Sequence, residues 1–354
     1  MQRFLFTLVV LAMVFSCTSR KKSGSDDFGG VLIVSHKTDN TVYFINRETG
    51  YTLKVLETGL EPHEVEVSDD GTIAVVCNYG NREVAGNTLS VYDIKAAALL
   101  RTIDLGEHTR PHGMQWIAGT QKMLVTAEST NNLLVVDVAK GQVERAIGTE
   151  QPVSHMVAAN IDFTVAFVPS IRTGYVTVID LVGDSIIAQV YSGKGAEGAA
   201  VSPNGKELWV TNRADNTITV FDTKTFTSIQ TLDCGDFPIR IKFTPNGSKV
   251  LVSNAQSADV AVFDAFQKTL LAKVKLTVPL PEEVDDERFF AKEFKESSIP
   301  IGLVVPHNSS AYVANTNADL ISEINLETYE IVRHFPTGKQ PDGIGFSPLM
   351  PDVN

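Results

Sequence analysis

One phrase recurs through this chain, and its clearest copy is GAAVSPNGKELWVTNRADNTITVFDTKTFTSIQTLDCG at residues 198–235. It holds four short runs: GAAVS, ELWVTN, TITVFD and TSIQTLD. Their alternation, with Ile218 and Val220 on one side, marks strands. Asn204-Gly205 between the first two runs predicts a tight hairpin, because the primed turns need positive φ. First runs begin near Pro62, Pro111, Pro152, Ala196, Pro238, Pro300 and Pro341, at steps of 49, 41, 44, 42, 62 and 41 residues. The second run also occurs seven times, from VLIVSH (31–36) to SAYVAN (310–315), and so does the third. Four short antiparallel strands at this period predict an all-β fold, a seven-bladed β-propeller. One such sheet alone cannot bury both its apolar faces. Arranged radially, each sheet covers its neighbour and only short outer edges remain.

The two ends of the pattern are complementary. It starts at Val31 with a second run and finishes at 341–348 with a first run. The C-terminal strand is therefore expected to pair with the three N-terminal strands and close the ring. Blade 1 is 31–58 plus 340–348, and blades 2 to 7 begin near 61, 110, 151, 195, 237 and 299. Residues 31–350 read as a single domain.

At Trp209-Val210-Thr211-Asn212 and Tyr312-Val313-Ala314-Asn315 the repeat resembles the YVTN family, and 201–225 is similar to that consensus almost throughout. The resemblance covers 31–348 and is closest to YncE-like extracytoplasmic propellers. His36, Ala127 and Ser170 stand where other blades have the Asn, which reads as a turn-capping residue. The resemblance implies the fold. Activity has to be argued from a site, because propellers host binding proteins, lactonases, lyases and redox enzymes alike.

Residues 1–16 read as a secretory leader: Arg3, then the apolar run FLFTLVVLAMVF at 4–15, too short to span a bilayer comfortably. Ser16-Cys17 resembles a bacterial lipoprotein box, which implies a lipid on Cys17, a tether over 17–30 and a place on a membrane of the cell envelope, expected to be the outer membrane. Lys+Arg total 30 against 42 Asp+Glu, and a net charge of −12 disfavours nucleic acid as a partner. Beyond Cys17 only Cys77 and Cys234 remain. They fall in distant repeats and are expected to be inert, mostly buried thiols.

Loops joining fourth to first strands and second to third strands share one face, the top. Both spacing irregularities fall there: NYGNREVAGN (78–87) and VPLPEEVDDERFFAKEFKESS (278–298). The second predicts a short helix from about Asp286, with Phe290 and Phe294 one turn apart. The top also collects His63, Glu64, Arg110, His112, His155, Arg172, Arg213, Arg240 and Asp342, with His36 and Asn212 at second-strand ends. Three readings follow. The cluster is channel-mouth polarity; or Arg110, Arg172, Arg213 and Arg240 hold an anionic or polar ligand with histidines as donors; or His63, His112 and His155 with Glu64 hold a divalent metal such as Zn²⁺. In the proline register His155 sits two places deeper than the other two. The chain lacks a G-x-S-x-G elbow, a P-loop and an H-E-x-x-H. The expectation is a binding protein for a small molecule or envelope partner, without catalysis or cofactor. The alternatives are a metal-assisted lactonase or lyase and a corrinoid-capturing surface lipoprotein.

Overall fold

The computed structural model describes residues 29–281, 288, 292–294 and 297–352. The expected leader, Cys17, most of the tether and Phe290 with the start of its expected helix lie outside the described residues.

Seven four-stranded antiparallel sheets form one ring. Six are consecutive in the chain. The seventh joins Pro341–Ser347 to Val31–His36, Thr41–Asn46 and Thr52–Glu57. Val31 pairs with Ser347 and Val34 with Ile344, and a bulge brings His36 opposite Pro341. The expected closure is thus present.

The period of two explains the core. Successive side chains on a strand face opposite sides, so each blade feeds two interfaces. Leu32, Val34 and Ile45 of blade 1 pack on Tyr312, Ala314 and Ile321 of blade 7. Val31, Ile33 and Phe44, on the same strands, pack the other way against Ala74, Val76 and Tyr92 of blade 2. Similar clusters fill the remaining seams. Outer strands alternate exposed and half-buried, as in Ser185–Tyr191.

The hairpins differ from the expectation. The 202–206 connection is a five-residue loop closed by Gly205 N–H donating to Ser202 O at 2.7 Å, with Lys206 N–H donating to Asn204 Oδ1 at 3.0 Å. Only Gly205 has positive φ, 71°. The asparagine contributes a side-chain acceptor, not a left-handed backbone.

The second-strand asparagines do more than cap. Asn212 is fully buried, and its Nδ2 donates to Thr217 and Thr219 at 3.1 and 3.0 Å. Its Oδ1 accepts from Ser192 at 2.8 Å, and Gly193 lies flat on its amide, where a Cβ would come within 2.6 Å. His36 takes this place in blade 1, bonded through Nε2 to Thr337 Oγ1 at 2.6 Å with Gly338 against its ring. Both residues belong to the blade's internal wiring and line none of the channel cavities described below.

Candidate functional site at the upper channel mouth

Strand pairing, not the prolines, sets the register of the channel. Pro62 pairs with Asn78, Pro111 with Ala127, Ala196 with Asn212, Pro238 with Asn254, Pro300 with Asn315 and Pro341 with His36. In blade 4 the residue that bridges to Ser170 is Ser154, not Pro152. The regular first strand there is only Ala158–Ala159. His155 is therefore level with His63 and His112, and the two-residue offset of the proline register disappears.

The residue after each pairing position forms a ring: Asp342, His63, His112, His155, Glu197, Ile239 and Ile301, none more than 7% exposed. Glu197 escaped the sequence reading. The available signal was its place directly after Ala196, as His63 follows Pro62.

One step further along, the seven residues are Gly343, Glu64, Gly113, Met156, Gly198, Arg240 and Gly302. Glycine and side chain alternate from blade 1 to blade 7, with two glycines meeting at the closing seam, because neighbouring first strands approach too closely for both to carry side chains. A Cβ on Gly343 would lie 2.3 Å from His63 O, and one on Gly198 would lie 2.4 Å from Ile239 O. Hydroxyls in the second strands hold the ring from behind. Thr126 receives Gly113 N–H at 2.8 Å and donates to His155 O of the next blade at 2.6 Å. Thr211 and Ser253 repeat the relay. Cys77 occupies the same place in blade 2, which accounts for its burial, and burial pushes its thiol well up. Cys234 is also free, its thiol pushed by burial up to about 12.

Arg240 crosses the channel from blade 6. Its Nε donates to Glu64 of blade 2 at 2.9 Å, Nη2 also reaches Glu64, and Nη1 meets Glu197 of blade 5 at 3.2 Å. Arg213 meets the other Glu197 oxygen at 2.8 Å, and Lys37 meets Asp342 at 2.7 Å. Burial would raise the Glu197 carboxyl, but Arg213, His155 and Arg240 outweigh it and hold the acid at about 2. Burial likewise opposes ionisation of Asp342, and the charges of Lys37 and Arg240 overcome it, so its carboxyl is lowered. His155 lies 3.3 Å from Glu197 and 3.7 Å from Glu128, and these acids raise its pKa against the pull of burial. His63 and His112 are held neutral, first by burial and then by Lys37 beside the one and by His155 and Arg240 beside the other.

Above this floor is a cavity of about 310 Å³, lined by ring residues with Lys37, Tyr79, Glu128, Val153, Ile171 and Arg213. It shares Lys37, His63 and Tyr79 with an outer cleft of about 690 Å³. Below Arg240 lies a separate cavity of about 250 Å³. The 78–87 segment lengthens a hairpin and delivers Tyr79, which stacks on His63 at 4.2 Å. Phe294 from the second insert packs on Phe237 at 5.0 Å, over Ile239 and Ile301.

The four arginines do not converge. Arg110 spends Nη2 on Asn81 O at 2.8 Å and lies over the Tyr79 ring. Arg213 and Arg240 are matched by Glu197 and Glu64. Arg172 is exposed and lines none of these cavities. The three imidazoles do come together, with centroids 5.2 and 3.8 Å apart, but they pack ring on ring. Among the described residues no three His, Cys, Asp or Glu side chains take up ion-holding geometry. The residues do not fit the divalent metal of the third reading.

A family model described as a lactonase, seven-bladed β-propeller, matches residues 170–285. The YncE proteins of Salmonella typhi and Salmonella typhimurium are each 25% identical over 164 residues, 44% of this chain. The match spans only 40% of the length of those relatives. Among solved structures, hydrazine synthase of Kuenenia stuttgartiensis superposes with a TM-score of 0.68 at 17% identity, covering 83% of this chain and 92% of that one. A functionally unknown protein from Desulfotomaculum acetoxidans gives 0.72 at 13% identity, covering 91% and 99%. These two show the fold alone. The molecule is a seven-bladed β-propeller closed by its C-terminal strand. Within that class it is YncE-like.

Proposed function

We propose that this propeller is a binding protein that takes a small polar ligand at the upper channel mouth, anchored at the cell envelope by a lipid on Cys17. The observation that supports it most is a blind pocket: five polar ring residues around a cavity floored by Arg240 and opening into a wider cleft. Buried polar groups are costly to maintain unless paired. The ring assembles five of them, from five blades, at one level, next to a concave space of the size small-molecule sites occupy. The test is to purify the full-length chain from membranes, denature it and identify released small molecules by mass spectrometry. A stoichiometric compound absent from a His63→Ala, His112→Ala variant supports the reading. An empty wild type that no compound in a metabolite library stabilises against heat removes it. A corrinoid, the alternative cargo, would show directly as visible absorption. The anchor is checked by palmitate labelling, which Cys17→Ser should abolish.

A second reading is a lactone-hydrolysing enzyme, favoured by the family match over 170–285 and by neutral His63 and His112 facing one cavity. His63 would then act as general base toward water. Hydrolysis across a lactone panel, with and without added divalent metal, separates the two. Turnover lost in His63→Gln supports the enzyme, and no turnover under either condition supports binding alone.

A further inference from the structure

The charges of the upper cavity cancel in pairs. Lys37 meets Asp342, Arg213 meets Glu197, Arg240 is held by Glu64 from below, and His155 stands between Glu128 and Glu197. A net charge brought into this setting would have to break a pair or sit in low dielectric without one. What the cavity offers a ligand is neutral. His63 Nδ1 is 3.0 Å from Glu61 O. A carbonyl oxygen only accepts, so Nδ1 carries the hydrogen and Nε2 presents a lone pair. His63 and His112 both line the cavity, and their ring centres are 5.2 Å apart. Two neutral imidazoles side by side suit a group that donates and accepts at once, and the hydroxyl is that group. Ile239 and Ile301 form an apolar wall at the same level, on the adjoining blades 6 and 7. Tyr79, stacked on His63, carries the wall outward into the wider cleft.

We propose that the ligand is an uncharged saccharide, with a hydroxylated edge on His63 and His112 and a C–H face on Ile239 and Ile301. Further sugar units run past Tyr79 into the outer cleft. This rests on the reading of the upper cavity as a binding site. A volume of about 310 Å³ is at the low end of small-molecule sites, which fits a short sugar unit and leaves no room there for a large cofactor.

The experiment follows the imidazole nitrogens of the ¹⁵N-histidine-labelled full chain by NMR. The probes are galactose, N-acetylglucosamine and maltose, with glucuronate and glucosamine as charged counterparts. At least one neutral saccharide should move the His63 and His112 signals, with a Kd at least tenfold below that of the charged counterparts. His63→Phe keeps a ring against Tyr79 and removes the lone pair, and it should weaken that saccharide at least tenfold at an unchanged melting temperature. Should this variant not fold, the comparison of neutral with charged probes on wild type decides alone. Charged probes binding as well as or better than neutral ones overturn the saccharide while leaving a cavity that binds. Silence of both histidines toward every neutral probe also overturns it. Whether the cavity binds anything is then answered separately by the small-molecule release experiment.

Discussion

At the scale of single residues, the histidines divide by what surrounds them. His63 and His112 are lowered by burial, and His36 is lowered by burial to about 3. In the unfolded chain each titrates near 6.5. Below that pH the unfolded state takes up protons that the folded state refuses, so stability falls as pH falls, by up to about 1.4 kcal/mol per pH unit for each such histidine. His155 works in the opposite direction. Glu128 and Glu197 raise it despite burial, so its contribution is full below about 6.5 and is lost as pH rises through its folded value. Urea unfolding at pH 7 and pH 5 should show a clear loss at pH 5. His36→Asn, which restores the residue used by blades 2, 5, 6 and 7, should reduce that loss by one proton's worth. An unchanged pH dependence in this variant would contradict the assignment. His36 and Asn212 sit in sequence where a site residue would, but the chain alone does not tell a seam from a channel, because the two are separated by one residue of strand alternation.

At the scale of the strand, the channel is set by how closely first strands approach. Gly302 shows it most sharply, since a Cβ there would lie 1.9 Å from Asp342 O. That contact is with backbone of the closing blade, and backbone cannot swing aside. Gly302→Ala should cost about 1–3 kcal/mol, read as a lower urea midpoint. Gly148, where a Cβ meets nothing within 4 Å, is the control, and Gly148→Ala should change stability by less than about 0.5 kcal/mol. Equal effects in both variants would mean that the channel backbone has room to move. The first strand of blade 4 is the element that sequence register misplaced. Pro152 looked like the repeat's opening proline, yet Ser154 takes the pairing position, two residues later. Val153, directly before it, carries the positive φ of 60° that Arg110 and Phe237 carry before their prolines at 56° and 61°. A dihedral angle leaves no mark in composition when the residue is not glycine.

For the whole molecule, closure is what makes seven weak sheets one domain. Cross-blade links reinforce it at the periphery: Arg145 of blade 3 donates to Leu181 O of blade 4 at 2.8 Å, and Arg333 of blade 7 reaches carbonyls of Arg47 and Glu48 in blade 1. Ending the chain at residue 340 would strip Val31–His36 of its inner partner and remove Asp342, leaving Lys37 buried without its acid. This truncation should abolish cooperative unfolding and produce aggregates on size exclusion. A monomer with wild-type near-ultraviolet dichroism would refute the role given to the clasp. The fold was legible in the sequence because a repeat states its period seven times, and apolar alternation is a local property that survives any register. His63, Glu64, His112, Arg240 and Asp342 were legible as a group for the same reason, each standing just inside a first run. What only the tertiary structure decided was pairing: which acid neutralises which arginine across a channel, that Glu197 completes the ring, and that Arg172 stays outside it. Those partners lie tens to hundreds of residues apart in the chain, and electrostatic matching depends on distance in space, which a linear sequence does not carry.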